Sequence, residues 1–158
     1  MPFMHLRVSR PHGAEPALDT AALADRVTAL IGRHLGKKPA LTALQIETVE
    51  AALWFIGARS LADQGLASFQ AQIQVTEGTN TKSDKAAFVS AVYALLADVL
   101  GPLHHVSYVV VQEVPADAWG YGGHTQERRW IAPDTPASLA GLAGHGSLTP
   151  PGGSRPQR

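Results

Sequence analysis

One residue in this 158-residue chain has a type and a place that could do chemistry, and that residue is Pro2. An initiator methionine is normally removed ahead of a small residue such as proline. Loss of Met1 would leave the Pro2 nitrogen as a free secondary amine. An ordinary α-amine has a pKa of about 7.7–8.0. An apolar pocket disfavours the charged form and lowers that value, so the nitrogen becomes a neutral general base near pH 7. An internal proline has no basic nitrogen. Many chains begin Met-Pro with an inert proline, so the weight lies in the residues after it. Pro2 runs straight into Met4, Leu6 and Val8, which alternate with His5, Arg7 and Ser9 as in a half-buried strand.

Other chemistry is sparse. The chain has no cysteine, which removes thiolate nucleophiles, disulfides, iron–sulfur clusters and cysteine zinc sites. His104 and His105 are adjacent and would point to opposite faces of a strand. The remaining histidines show no i, i+4 pairing, so no metal site is expected. Gly120-Tyr121-Gly122-Gly123 resembles a dinucleotide fingerprint only superficially, since no helical pattern follows it. A hairpin or tight turn is expected there, and no cofactor. Lys+Arg and Asp+Glu are both 13, so nothing in the charge favours nucleic acid or an anionic membrane surface. Apolar runs of five or six residues are too short to span a bilayer. His5, Arg7 and Arg10 fall where a signal peptide needs apolar residues, so a cytoplasmic location is expected.

The elements that must position Pro2 repeat along the chain. Leu23, Val27, Leu30, Ile31 and Leu35 form one helical face, and the same spacing recurs 65 residues later from Phe88 to Leu100. Gly36 and Gly101 stand at the two helix ends, with Pro39 and Pro102 as stop signals. The offset carries Trp54 onto Trp119 and Gly57 onto Gly122. Asp19 or Thr20 is the expected first N-cap, and Ser83 or Asp84 the second. Each helix is flanked by strands: 4–8 and 44–49 around the first, 71–75 and 106–111 around the second. The predicted fold is α+β, two tandem β-α-β units forming a four-stranded mixed sheet with two helices on one face. The units span about 2–60 and 68–127, within a domain of residues 1–130. Residues 131–158 hold five Pro and five Gly with no aromatic, and are expected to be a disordered tail. Ile73, Val75, Val109 and Val111 are expected to need cover on the sheet's other face, which predicts a homotrimer.

Pro2, the repeat, and the endings Trp54-Phe55-Ile56-Gly57 and Trp119-Gly120-Tyr121-Gly122 resemble the tautomerase superfamily. The chain is similar to the 4-oxalocrotonate tautomerase type in a fused two-unit form, and Gly36-Lys37-Lys38-Pro39 also to the migration inhibitory factor type. The resemblance covers residues 2 to about 127. It implies that Pro2 is a general acid/base for enol–keto proton transfer in a small 2-oxo (enol) acid, without a cofactor. It also implies a trimer. Trp54 and Trp119 match the aromatic that keeps the pocket apolar. Lys37 or Lys38 matches a family lysine, with a solvated lysine at a helix end as the alternative. The family arginines have no counterpart: Thr79 stands at one position, and Gln45 and Ser107 or Tyr108 at the other. Arg10 is then the expected carboxylate partner, with Lys37 or Lys38. Alternatives are a hydrolytic dehalogenase, hydratase or decarboxylase of the same family, with Glu50, Glu113 or Asp117 activating water. A non-catalytic ferredoxin-like binding or assembly module is the alternative of another class.

Overall fold

The computed structural model describes residues 1–14 and 16–132; the expected tail therefore lies almost wholly outside the described residues. Strand β1 (Phe3–Ser9), helix α1 (Thr20–Leu35) and strand β2 (Ala43–Thr48) open the chain. A two-stranded hairpin, β3 (Phe55–Ile56) and β4 (Arg59–Ser60), and a single turn of helix, α2 (Leu61–Gln64), close the first unit. The second unit repeats this order: β5 (Ser68–Thr76), α3 (Lys82–Leu100), β6 (Tyr108–Val114), the hairpin β7 (Gly120–Tyr121) and β8 (His124–Thr125), and α4 (Gln126–Ile131).

The sheet order is β2-β1-β5-β6. β1 and β2 are parallel, as are β5 and β6, while β1 and β5 meet antiparallel with Phe3 facing Gln74 and Ser9 facing Ser68. The four-stranded mixed sheet of two β-α-β units is thus as expected. The antiparallel centre has a functional consequence: the start of β1 lies beside the end of β5.

Strand alternation drives Met4, Leu6, Val8, Phe69, Ala71, Ile73 and Val75 to one face, where all are fully buried. Leu23, Val27, Ile31, Phe88, Val92 and Leu96 meet them from α1 and α3. Phe69 packs edge-on against Tyr93 with ring centres 5.9 Å apart. Emptying a buried aromatic site such as Phe88 would cost about 3–5 kcal/mol, a large share of a domain's stability.

The opposite face departs from expectation. Ile73, Val75, Val109 and Val111 lie on the helix side, where they belong to the core or pack against it. The open face carries His5, Arg7, Glu47, Gln70, Gln72 and Gln112 instead. Arg7 Nε donates to Glu47 at 2.8 Å, and Gln72 Nε2 to Gln112 at 2.8 Å. A burial argument from those four residues therefore does not support an assembly. Phe3, Tyr108 and Val110 are the exposed apolar groups of this face, and Leu53, Phe55, Trp130 and Ile131 are exposed elsewhere.

Helix ends follow local chemistry. Asp19 caps α1 by accepting from Ala22 N–H at 2.9 Å. Thr81 caps α3, rather than Ser83 or Asp84; Asp84 completes a reciprocal capping box with it. Gly36 ends α1 at φ 65°, a left-handed turn that a side chain would resist, and this turn aims Lys37 away from the helix axis.

Candidate active site

The repeat brings one set of groups to the Pro2 end of the sheet. Pro2 is buried at the mouth of β1, and its carbonyl accepts from Ala43 N–H at 3.2 Å. α1 runs back along the sheet, so its C-terminal Lys37 returns to this end. The turn after β5 arrives from the antiparallel neighbour, and β6 delivers Glu113 and the second hairpin from the far edge. Lys37 Nζ donates to Thr79 Oγ1 at 2.7 Å. Asn80 Nδ2 donates to the Leu35 carbonyl at 3.0 Å, fastening the same turn to α1. Gln126 Nε2 of α4 reaches the Met1 carbonyl at 3.5 Å.

The electrostatics at this end are coherent. With Met1 in place, burial lowers the α-amine below its ordinary 8.0, and the positive charges of Lys37 and Arg129 lower it further. Burial also lowers Lys37 below 10.5, opposed by the negative charge of Glu113. Glu113 accepts from Lys85 Nζ at 2.8 Å and from Gly78 N–H at 3.3 Å. The Lys85 bond chiefly holds its carboxyl below the usual range. The end therefore offers an amine disposed to be neutral, two cations beside it, and a carboxylate steadying one of them.

Pro2, Lys37 and Trp119 are the expected residues brought to this end. Trp119 is half-buried, its indole N–H lacks a protein partner, and it lines a cavity of about 350 Å³ with Tyr121 and His124. Lys38 is exposed, and it is its backbone carbonyl that is engaged, by Leu41 N–H and Thr42 Oγ1. Gln45 is exposed on β2 beside His5, two residues beyond the β1 start. Tyr108 is exposed and faces Gln70, towards the other end of the sheet.

Arg10 and Trp54 are not at this end. Arg10 follows β1, roughly 26 Å from Pro2 at the usual rise per strand residue. Its Nη1 donates to the Pro16 carbonyl at 2.9 Å, clamping the loop before α1. It lines a cavity of about 610 Å³ with His12, Leu18 and Glu50. That cavity is the larger, yet it lies remote from the amine. Trp54 closes the first unit at the same far end, because β2 runs parallel to β1. Within one chain, Arg10 therefore cannot be the carboxylate partner beside Pro2, contrary to the expectation from sequence.

Arg129 is the residue that sequence reasoning missed. Its guanidinium carbon sits 3.8 Å from the Tyr121 ring centre, and Nη2 donates to the Tyr121 carbonyl at 2.8 Å. Carrying the 65-residue offset past Gly122 aligns Arg129 with Gln64, and that charge difference was the available signal.

Among the described residues, no cluster of three or more His, Cys, Asp or Glu could hold a metal ion, and no helix is long and apolar enough to cross a membrane.

Comparisons with known proteins bear on the fold. Residues 71–129 match the family model described as tautomerase enzyme. Among solved structures, the chain is similar to a native fused 4-OT at 25% identity and a TM-score of 0.63, over 78% of this chain and 97% of that one. A wild-type fused 4-OT solved as a symmetric trimer gives 17% identity and a TM-score of 0.66, over 79% and 96%. A member of the cis-3-chloroacrylic acid dehalogenase family gives 24% and 0.65, over 85% and 94%. No curated protein matches the chain. The fold is that of the tautomerase superfamily in its fused, two-unit form. The family's domain is matched over the second unit, residues 71–129.

Proposed function

We propose that the chain is a cofactor-independent tautomerase that uses Pro2, freed of Met1, as the acid/base for enol–keto interconversion of a small 2-oxo acid. The observation that carries this reading is the buried start of β1 with Lys37 and Arg129 beside it, which disfavours a protonated amine. A neutral Pro2 nitrogen removes the proton of the enol hydroxyl. The oxygen's electron pair forms the carbonyl, and the carbon–carbon double bond takes up the proton that the nitrogen now carries. Lys37 stabilises the developing enolate oxygen as a compact point charge. Trp119 offers an apolar wall that keeps water from screening these charges.

The hydrolytic readings of the same family need the amine cationic near neutral pH. Burial and two flanking cations oppose that state, although Glu113 is an ionised carboxylate at the same end. The non-catalytic reading gives no role to a depressed amine. Trimeric assembly is also proposed, by likeness to the fused 4-OT trimers. The test is ketonisation of an enol-pyruvate by the chain without Met1, compared with Pro2→Ala. Equal turnover in the two would place the chemistry elsewhere.

A further inference from the structure

The two halves of the chain provide an internal control at one position. Gln64 and Arg129 are equivalent in the repeat, and both tie a short helix back to the preceding hairpin. Gln64 Nε2 donates to the Ile56 carbonyl at 3.3 Å, and Arg129 Nη2 to the equivalent Tyr121 carbonyl at 2.8 Å. The surroundings repeat as well: Leu61 N–H donates to Trp54 O, and Gln126 N–H to Trp119 O. Ser60 and Thr125 are the equivalent helix caps. The structural task is therefore met by a neutral amide, and a guanidinium is more than it requires.

The surplus charge falls only at the end with the amine. The other end has Ala67 where Pro2 stands, Pro102 where Lys37 stands, and Ala14 where Thr79 stands. The tryptophan and the carboxylate do recur at both ends. Val8 faces Thr48 and its counterpart Ile73 faces Val111, so Glu50 corresponds to Glu113. The counterparts of Pro2, Lys37 and Arg129 are thus all uncharged at the other end, whose cation, Arg10, has the apolar Val75 as its equivalent. Arg129 shares a face of α4 with Gln126, three residues earlier, which reaches the Met1 carbonyl. Its Nε is buried and bonded to nothing in the protein, a donor left unsatisfied.

We propose that Arg129 is the carboxylate receptor of the Pro2 site, which leaves Lys37 to the 2-oxo oxygen; the assignment rests on the Pro2 reading above. A guanidinium fork matches the two oxygens of a carboxylate, whereas an ammonium suits a single oxygen. The ring of Tyr121 beneath Arg129 holds the fork in one plane before the ligand arrives.

The test uses Arg129→Gln, which installs the side chain that Gln64 already shows can make the hairpin bond. Calorimetric titration with pyruvate should give a Kd raised about tenfold to a hundredfold, the worth of a charged hydrogen bond. Pyruvamide, which lacks the charge, should bind wild type and variant alike. Gln64→Arg, which adds the charge at the other end, should leave pyruvate affinity unchanged. On the wild-type chain, the Arg129 Nε–H NMR signal should shift as pyruvate is added, which serves if the Gln variant fails to fold. Pyruvate affinity within twofold of wild type in Arg129→Gln, or an unmoved Nε–H signal, overturns the assignment. These readouts need no turnover, so they are separable from the fate of the base: full activity in Pro2→Ala would sink the base and leave the binding result standing.

Discussion

Lys37 and Thr79 are joined by a 2.7 Å hydrogen bond that ties the end of the first helix to the turn after the central antiparallel strand. Thr79 stands where the superfamily resemblance places an arginine. The lysine reaches across from the other unit and supplies a cation at the place where the local sequence has none.

Removing that cation should separate binding from folding. Lys37→Met keeps the length of the side chain and discards the charge. It should lower kcat on an enol-pyruvate by about tenfold to a hundredfold, since the enolate oxygen loses a charged donor. Thermal unfolding should change little, because Lys37 is bonded only to an exposed threonine. A wild-type rate would remove Lys37 from the mechanism.

The pH profile follows from the lowered Lys37 and from the burial and positive charges at the chain start, which would act on the Pro2 nitrogen once Met1 is removed. The base must be neutral, so kcat/KM should rise with pH through a value below 8.0. Lys37 must be charged, so it should fall again as pH rises through a value below 10.5. Glu113 raises Lys37, so Glu113→Gln should move the alkaline limb to lower pH and leave the acid limb almost in place. An alkaline limb that does not move would mean that a group other than Lys37 titrates there.

Arg10 tests the distance argument. Its guanidinium holds the loop before α1 through the Pro16 carbonyl, far from Pro2. Arg10→Ala should lower the thermal midpoint, because a charged hydrogen bond of about 1.5–3 kcal/mol is lost. It should leave kcat/KM within about twofold. A large rise in KM with an unchanged midpoint would bring Arg10 into the site, through a neighbouring protomer.

The sequence made the elements readable because the repeat states each of them twice. Leu23 to Leu35 and Phe88 to Leu100 fixed both helices, and the alternation from Met4 to Val8 fixed the strand that begins after Pro2. Arg10 is near Pro2 along the chain, but β1 carries it to the opposite end of the same chain, which spacing alone does not show. The open sheet face is not legible in the sequence because β6 is a continuous apolar run, which does not reveal that Val109 and Val111 face the helices. Arg129 follows Gly122, the last residue that the helix, stop-signal, aromatic and glycine matches of the repeat include. Its meaning appears only when the hairpin carbonyls of Ile56 and Tyr121 are seen to take equivalent bonds from a neutral and a charged side chain.

The most direct measurement is an NMR titration of the Pro2 nitrogen in the chain lacking Met1, labelled with ¹⁵N at proline. The predicted midpoint lies below the 8.0 of an ordinary α-amine and climbs back towards it in Arg129→Gln, where one of the flanking charges is gone. A midpoint at or above that of an ordinary amine would contradict a neutral Pro2 base and with it the tautomerase mechanism.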